Sequence, residues 1–202
     1  MKIALIGASG NAGQRLTAEM SRRGHAVTAI ARQPEKIAAL PGVTAAAGDI
    51  NDKAGLAGLL AGHDAVISAV RFLDTDAEAL IAIVRAAGVK RYLVVGGAAS
   101  LEVAPGVRLL DTPQFPAAYK GEATAGAAFL ETLCAADDLD WSFLSPSAMF
   151  VAGERTGKFR LGKDQLLTQD KGSSISFEDF AVAAIDELET PRHIRQRFTV
   201  GY

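Results

Sequence analysis

Short apolar runs alternate with segments of helical periodicity along most of the chain. The apolar runs predict strands over residues 2–6, 26–31, 43–47, 64–68, 91–95 and 140–144. Between them, apolar residues recur every three or four positions, as Ala12, Leu16 and Met20 do, and predict helices over 11–23, 52–60, 75–87 and 120–136. This alternation predicts an α/β fold, a doubly wound parallel sheet with helices on both faces.

The pattern changes near residue 148, where short segments punctuated by glycine replace the long alternation. We therefore expect a single domain over 1–202, with a core at about 1–148 and a small appendage at about 149–202. An irregular loop over 98–118 follows the fifth predicted strand. Loops of this length are usually functional or mobile, so we expect it to lie over a ligand cleft.

The first strand runs directly into a glycine-rich turn, GASGNAG, and a helix follows at once. Gly7, Gly10 and Gly13 are spaced GxxGxxG, and glycine permits both a sharp turn and close approach of a phosphate. Ser9 brings a hydroxyl and a backbone N–H to the turn, and Asn11 is placed to cap the helix. A strand, a glycine-rich turn and a helix in this order predict a pyrophosphate site.

The end of the second strand indicates which dinucleotide is preferred. Sites that prefer NAD place Asp or Glu there, whereas a 2′-phosphate needs a cation, and this chain has Arg32 with Lys36 nearby. We therefore expect NADP(H) in preference to NAD(H). After the third strand, Asp49 is either an acceptor for the adenine amino group, with Ile50 on the ring, or a helix-capping aspartate.

Composition and charge narrow the class of partner. The 202 residues are 49% hydrophobic and carry a net charge of −2 without a basic run, which argues against nucleic acid. The single cysteine, Cys134, permits no intrachain disulfide. No apolar stretch is as long as a membrane span, which needs about 18 residues. No His, Cys, Asp or Glu residues have the spacing of metal ligands. We expect a cytoplasmic monomer or homodimer that acts on a small molecule, without a metal or membrane.

Several motifs together resemble the short-chain dehydrogenase/reductase superfamily. They are GASGNAG, the AR after strand two, the GDI after strand three, DAVISAV and YLVVGGAASL. The later segments FPAAYKGEA, DWSFLSPSAMF, GERTGKFRLG, ISFEDFAVA and RQRFTVGY are similar to its atypical, NmrA-like branch, which includes proteins named as NADH-flavin reductases. The resemblance covers essentially the whole chain. It implies a Rossmann-type sheet, a nicotinamide cofactor and a small C-terminal substrate region.

The resemblance also implies which residues contact the cofactor. It implies contacts at Gly7, Ser9, Gly10, Asn11, Ala12, Gly13, Arg32, Asp49 and Ile50. The turn Ala69-Val70-Arg71 would approach the ribose, and Gly97 and Pro146-Ser147-Ala148 would approach the nicotinamide.

One departure from the superfamily concerns its Tyr-x-x-x-Lys motif, in which the lysine lowers the pKa of the tyrosine. Four residues after Tyr119 stands Ala123, and Lys120 is adjacent instead. Neighbours on a helix point about 100° apart, so Lys120 does not replace that lysine. Two candidates for the chemistry remain: Ser100, otherwise a loop serine, and Tyr119, a substrate contact or a half-buried packing residue.

Three functions fit these observations. The first is an NADPH-dependent reductase of a flavin, quinone or similar flat acceptor, which needs little acid–base machinery. An apolar cleft formed by Phe72, Leu73, Phe115, Met149 and Phe150 would suit such an acceptor. The second is a non-catalytic dinucleotide sensor, and the absence of the motif lysine agrees equally well with that function. The third is a sugar-nucleotide epimerase or dehydratase, disfavoured by the same absence and by the small C-terminal region.

Overall fold

The computed structural model describes every residue from Met1 to Tyr202. The strands are β1 (Lys2–Ile6), β2 (Ala26–Ala31), β3 (Val43–Ala47), β4 (Ala65–Ser68), β5 (Arg91–Val95), β6 (Glu102–Ala104), β7 (Val107–Arg108), β8 (Asp140–Pro146), β9 (Met149–Val151), β10 (Arg160–Gly162), β11 (Ser174–Ser176) and β12 (Gln196–Gly201). The helices are α1 (Asn11–Arg22), α2 (Lys53–Leu60), α3 (Ala77–Ala86), α4 (Lys120–Cys134) and α5 (Phe177–Glu189).

Eight strands form one sheet in the order β10-β12-β8-β5-β4-β1-β2-β3. Every neighbouring pair is parallel except β10 and β12. The chain runs outward from β1 through β2 and β3, then crosses back to β4 on the other side of β1. The strand order therefore reverses at β1, and a crevice opens there at the carboxyl ends of the strands. The predicted doubly wound, Rossmann-type sheet is confirmed.

Helices cover both faces of the sheet, because both faces of its central strands are apolar. On one face α1 and α5 bury side chains such as Leu16 and Phe180. On the other face α2, α3 and α4 bury Leu56, Val84 and Phe129. None of these helices combines the length and the apolar character that crossing a bilayer requires.

The residues after 148 return to this sheet. β12 pairs with β8, β10 pairs with β12, and α5 packs against α1. β9 and β11 form a separate two-stranded sheet. The role of residues 149–202 as a substrate region stays a prediction.

The loop over 98–118 is more regular than expected. β6 and β7 pair as a hairpin, with Gly106 at a φ of +74° between them. Leu101 and Leu110 are buried and anchor the hairpin to the body of the protein. Glu102 also donates its N–H to the carbonyl of Asp164 at 2.8 Å. The loop is therefore held by distant residues, which the local sequence did not indicate.

Candidate functional site

The glycine-rich turn joins three elements at the point where the strand order reverses. Gly7 has a φ of +85°, and its N–H donates to the carbonyl of Ile30 on β2 at 2.9 Å. A Cβ at Gly7 would lie 2.3 Å from the carbonyl oxygen of Ala69, which follows β4. A Cβ at Gly13 would lie 2.2 Å from the oxygen of Gly7. Both positions therefore need glycine for β1, β4 and α1 to pack together. Ser9 lies half-buried in the same turn.

The start of α1 faces this turn. Gly10, with a ψ of 170°, is the N-cap residue, and no side chain caps the helix. The prediction that Asn11 caps α1 is wrong because Asn11 already has helical geometry as the first residue of the helix. Gln14 N–H makes the first helical bond, to Gly10 O at 2.9 Å. The N–H groups of Asn11, Ala12 and Gly13 are therefore left for an anion, favoured there by the helix dipole.

Two cations lie at the end of β2. Arg32 is exposed, and its guanidinium makes no hydrogen bond or ion pair within the chain. Lys36 is exposed in the short 3-10 turn Pro34–Lys36. Lys36 also lines a cavity of about 400 Å³ whose lining includes Ala8 and Gln14. Free positive charge thus lies beside the glycine-rich turn.

Asp49 follows β3 but does not cap a helix. Asp52 caps α2 by accepting from Gly55 N–H at 3.0 Å. One oxygen of Asp49 accepts from the backbone and side-chain N–H groups of Asn51, both at 2.9 Å. The capping alternative for Asp49 is therefore wrong, and its adenine contact stays a prediction. Ile50 is half-buried against the core on the α2 side.

The loops after β4 and β5 form the next part of the edge. Ala69 and Val70 are half-buried, whereas Arg71 is exposed and lies 3.5 Å from Asp74. Gly97 follows β5, and a Cβ built there would meet no atom within 4 Å. Open space is therefore present where the nicotinamide contact is expected.

The segment after β8 is bound into the sheet. Pro146 and Ser147 are buried, and Ala148 is exposed. The N–H and the hydroxyl of Ser147 both donate to the carbonyl of Val200, at 3.0 and 3.1 Å. Both hydrogen-bond donors of Ser147 are thus used within the protein.

The two candidates for the chemistry have different surroundings. Ser100 Oγ accepts from Arg197 at 3.2 Å, and Arg197 also pairs with Asp164 at 2.7 Å, which favours the loop-serine interpretation. Tyr119 precedes α4 and is 67% exposed, so the half-buried alternative is wrong. Its phenol makes no hydrogen bond, and no lysine stands one turn further along α4.

The predicted apolar cleft is only partly correct. Phe72 is buried in the core and packs against Phe129 in a tilted arrangement, with ring centroids 5.2 Å apart. Phe150 is half-buried and packs against aromatic rings of α5 rather than lying open. Leu73 and Met149 are 57% and 59% exposed, so they are the members that face solvent. Phe115 is half-buried in the 98–118 loop.

An ion pair that the sequence did not indicate lies one turn into α1. Arg15 donates to Glu178 of α5 at 2.9 Å and lies over the ring of Phe177. Burial opposes ionisation of Glu178, but hydrogen bonds from Arg15 and from the N–H of Gly153 keep its pKa below the ordinary value. The partners are 163 residues apart, so no local pattern predicted the pair.

No group of three or more His, Cys, Asp or Glu side chains is arranged to hold a metal ion. The site therefore combines a glycine-rich turn suited to an anion with the positively charged side chains of Arg32 and Lys36 beside it.

A family model described as NAD(P)H-binding matches residues 7–191 of this chain. The chain belongs to this NAD(P)H-binding family. The match begins at the glycine-rich turn, directly after β1, and extends past the end of α5, so the resemblance seen in the sequence is confirmed.

Solved structures of similar proteins agree with the fold. A "putative exported protein" from Burkholderia pseudomallei is 47% identical, with a TM-score of 0.90 and 100% of both chains covered. A "putative epimerase" from Bacteroides thetaiotaomicron is 43% identical, with a TM-score of 0.93, covering 100% of this chain and 96% of that one. A "putative NADH-flavin reductase" from Streptococcus pneumoniae is 37% identical, with a TM-score of 0.86, covering 100% and 99%.

Proposed function

We propose that this protein is an NADPH-dependent reductase of a flat acceptor such as a flavin or a quinone. The observation that carries the choice of NADPH is Arg32, an exposed guanidinium without a partner at the strand end where an NAD site would hold a carboxylate. The choice of acceptor is supported by the exposed apolar side chains at the carboxyl edge and by the name of the Streptococcus pneumoniae relative.

Successive segments of the chain would hold successive parts of the dinucleotide. The backbone of Gly7, Ser9, Gly10, Asn11, Ala12 and Gly13 would hold the diphosphate. Arg32, with Lys36, would hold the 2′-phosphate, and the free oxygen of Asp49 with Ile50 would hold the adenine. Ala69, Val70 and Arg71 would lie along the ribose, and Gly97, Pro146, Ser147 and Ala148 along the nicotinamide.

The chemistry asks little of the protein's acids and bases. When bound, NADPH supplies a hydride, and a proton from water completes the two-electron reduction of the acceptor. The side chains bind, align the two rings and exclude water, which accounts for much of the rate. Tyr119 would contact the acceptor, and Ser100, held by Arg197, would support the loop rather than transfer a proton.

Two other functions remain in competition. A dinucleotide sensor is favoured by the missing lysine partner of Tyr119, because it needs binding and no turnover. An epimerase is favoured by the name of the Bacteroides thetaiotaomicron relative, but the chain lacks the Tyr–Lys pair expected for that chemistry. All three functions require the dinucleotide, so binding alone does not separate them.

We propose the cytoplasm as its location and a small molecule as its partner, with neither nucleic acid nor membrane involved and a monomer or homodimer as the working form. One relative bears the name of an exported protein, so fractionation of cells that express the full chain is the test of location.

The test of function is an acceptor panel. NADPH binding is measured by nicotinamide fluorescence, and absorbance of the reduced nicotinamide is then followed after FMN, a small quinone or a UDP-sugar is added. Loss of absorbance that depends on protein and on FMN or quinone supports the reductase. Binding without turnover of any acceptor supports the sensor. A new sugar isomer, formed when the UDP-sugar is added to protein loaded with NADP⁺ and without net reduction of the dinucleotide, supports the epimerase.

A further inference from the structure

Two large side chains are exposed near the start of α4, at the carboxyl edge of the sheet. Leu73, after β4, is 57% exposed, and Tyr119, before α4, is 67% exposed. Leu73 Cδ1 lies close to the first turn of α4: a Cβ added at Gly121 would be 3.7 Å from this Leu73 atom. Leu73 comes from a distant part of the chain, so its position beside the helical turn that follows Tyr119 is a feature of the fold.

Glu122 holds this arrangement together. Its Oε1 accepts from the N–H of Phe72 at 2.7 Å, and its Oε2 accepts from the N–H of Leu73 at 3.0 Å. Hydrogen bonds to an ionised acceptor are about twice as strong as those between neutral groups. Both oxygens of one carboxylate thus fasten the loop after β4 to the first turn of α4, which begins beside Tyr119.

Burial of Phe72 fixes the direction of Leu73. The ring of Phe72 packs so closely on α4 that a Cβ at Gly126 would lie 2.9 Å from it. It also stacks near Phe143, with centroids 6.1 Å apart. With the neighbouring ring buried and both N–H groups bound, the side chain of Leu73 is held outward. Its exposure is therefore built into the structure and does not result from a loose loop.

We propose that Leu73 and Tyr119 form a platform for the conjugated ring of the acceptor, and that Glu122 is the positioning residue that assembles it. This inference rests on the proposed reductase function and specifies which residues select the acceptor. An apolar side chain held outward and an exposed aromatic ring at the same edge favour a flat, conjugated molecule. The phenol of Tyr119, which has no partner in the protein, is available to a heteroatom on that ring.

The position of the platform agrees with this occupant. It adjoins Ala69, Val70 and Arg71, where the ribose of the dinucleotide is expected. Met149, 59% exposed after β8, presents a further adaptable apolar side chain at the same edge. An acceptor on the platform would therefore lie next to the dinucleotide rather than at a separate site.

The experiment is a titration of FMN into protein saturated with NADP⁺, followed by FMN fluorescence, so that no turnover is needed. The variants are Leu73→Ser, Tyr119→Ala and Glu122→Gln, with Leu161→Ser on the edge strand β10 as a matched control of similar exposure. We expect roughly ten-fold weaker FMN binding for Leu73→Ser and Tyr119→Ala. We expect Glu122→Gln to weaken FMN binding severalfold. The control variant should bind FMN as the unaltered protein does, and all variants should keep their affinity for NADP⁺.

The role of Glu122 is tested by a double-mutant cycle. If Glu122 acts through Leu73, its substitution costs little further FMN affinity once Leu73 is serine, whereas independent effects add. Additive losses overturn the positioning role. Unchanged FMN binding in Leu73→Ser and Tyr119→Ala, or no FMN binding by the unaltered protein, overturns the platform.

Failure of the platform and failure of the reductase function are distinguishable. FMN bound with the predicted variant losses, but never reduced by NADPH, supports the platform and refutes the reductase. FMN reduced at an unchanged KM in the same variants supports the reductase and refutes the platform.

Discussion

Arg32 is the residue on which the choice between the two dinucleotides depends. A guanidinium binds a phosphate through two parallel hydrogen bonds, and such charge-assisted bonds are worth about 1.5–3 kcal/mol each. We predict that Arg32→Ala weakens NADPH binding by roughly ten-fold or more while NADH binding changes little. Nicotinamide fluorescence titrations with both dinucleotides give the two ratios.

The control for this prediction is Arg22→Ala, an arginine that is 59% exposed at the far end of α1. It should leave both affinities unchanged. Equal losses for NADPH and NADH in Arg32→Ala would show that Arg32 does not contact the 2′-phosphate.

Glu19 shows how a single carboxylate connects the C-terminal region to α1. Its buried side chain accepts two hydrogen bonds from Arg155, at 2.7 and 2.8 Å, and one from Arg23 at 2.8 Å. The hydrogen bonds from Arg155 exceed the opposing effect of burial and, together with Arg23, lower the pKa of Glu19 to about 2. The ionised form is thus strongly favoured in the folded state.

The consequence is a pH dependence of stability with a definite sign. Because the folded pKa lies below the ordinary value of 4.5, the stabilisation is complete above that value and is lost as the pH falls towards 2. We predict that Glu19→Gln lowers the thermal midpoint at neutral pH and flattens its fall between pH 5 and 2. The control is Glu131→Gln, at an exposed position of α4, which should show the same dependence of the thermal midpoint on pH as the unaltered protein. If the thermal midpoint of Glu19→Gln falls in parallel with that of the unaltered protein, Glu19 is not the source of this pH dependence.

At the scale of elements, strands were the most predictable part of the fold. The bounds of β1, β2, β3 and β5 coincide with the predicted runs, because each run is apolar and ends at glycine or a polar residue. The start of α1 at Asn11 was predicted correctly, but its cap was placed one residue late, because Gly10 is the N-cap and no side chain caps the helix. The β6–β7 hairpin was not predicted, because its position depends on the burial of Leu101 and on the hydrogen bond from Glu102 to Asp164.

The junction of β1 and α1 gives a prediction at this scale. A Cβ at Gly13 would lie 2.2 Å from the oxygen of Gly7, so Gly13→Ala must push α1 away from the end of β1. We expect a lower thermal midpoint together with loss of NADPH binding, because the N–H groups of α1 move with the helix.

The matched control is Gly58→Ala in the interior of α2, where a Cβ meets no atom within 4 Å. There alanine should stabilise the protein by about 0.5–1 kcal/mol. Melting curves of both variants test the contrast, and a Gly13→Ala protein as stable and as competent in binding as the Gly58 variant would contradict the packing described for this junction.

At the scale of the whole molecule, the site is less predictable than the fold. The glycine-rich turn, Arg32 and Asp49 could be found because each follows a predicted strand at the edge where ligands bind. The surroundings of Ser100, Tyr119 and Phe72 could not, since they depend on partners such as Arg197 and Glu122 far along the chain. Local patterns predict where the backbone leaves N–H groups free for an anion, and long-range packing determines which side chains remain exposed at the carboxyl edge.

The proposed function requires that hydride passes from NADPH to a flat acceptor on this protein. The most direct measurement is an anaerobic single turnover, in which protein saturated with one equivalent of NADPH is mixed with FMN and both absorbance bands are followed. We predict equal losses of reduced nicotinamide and oxidised flavin, much faster than in the same mixture without protein. A rate equal to that of the protein-free mixture, with NADPH demonstrably bound, would contradict it.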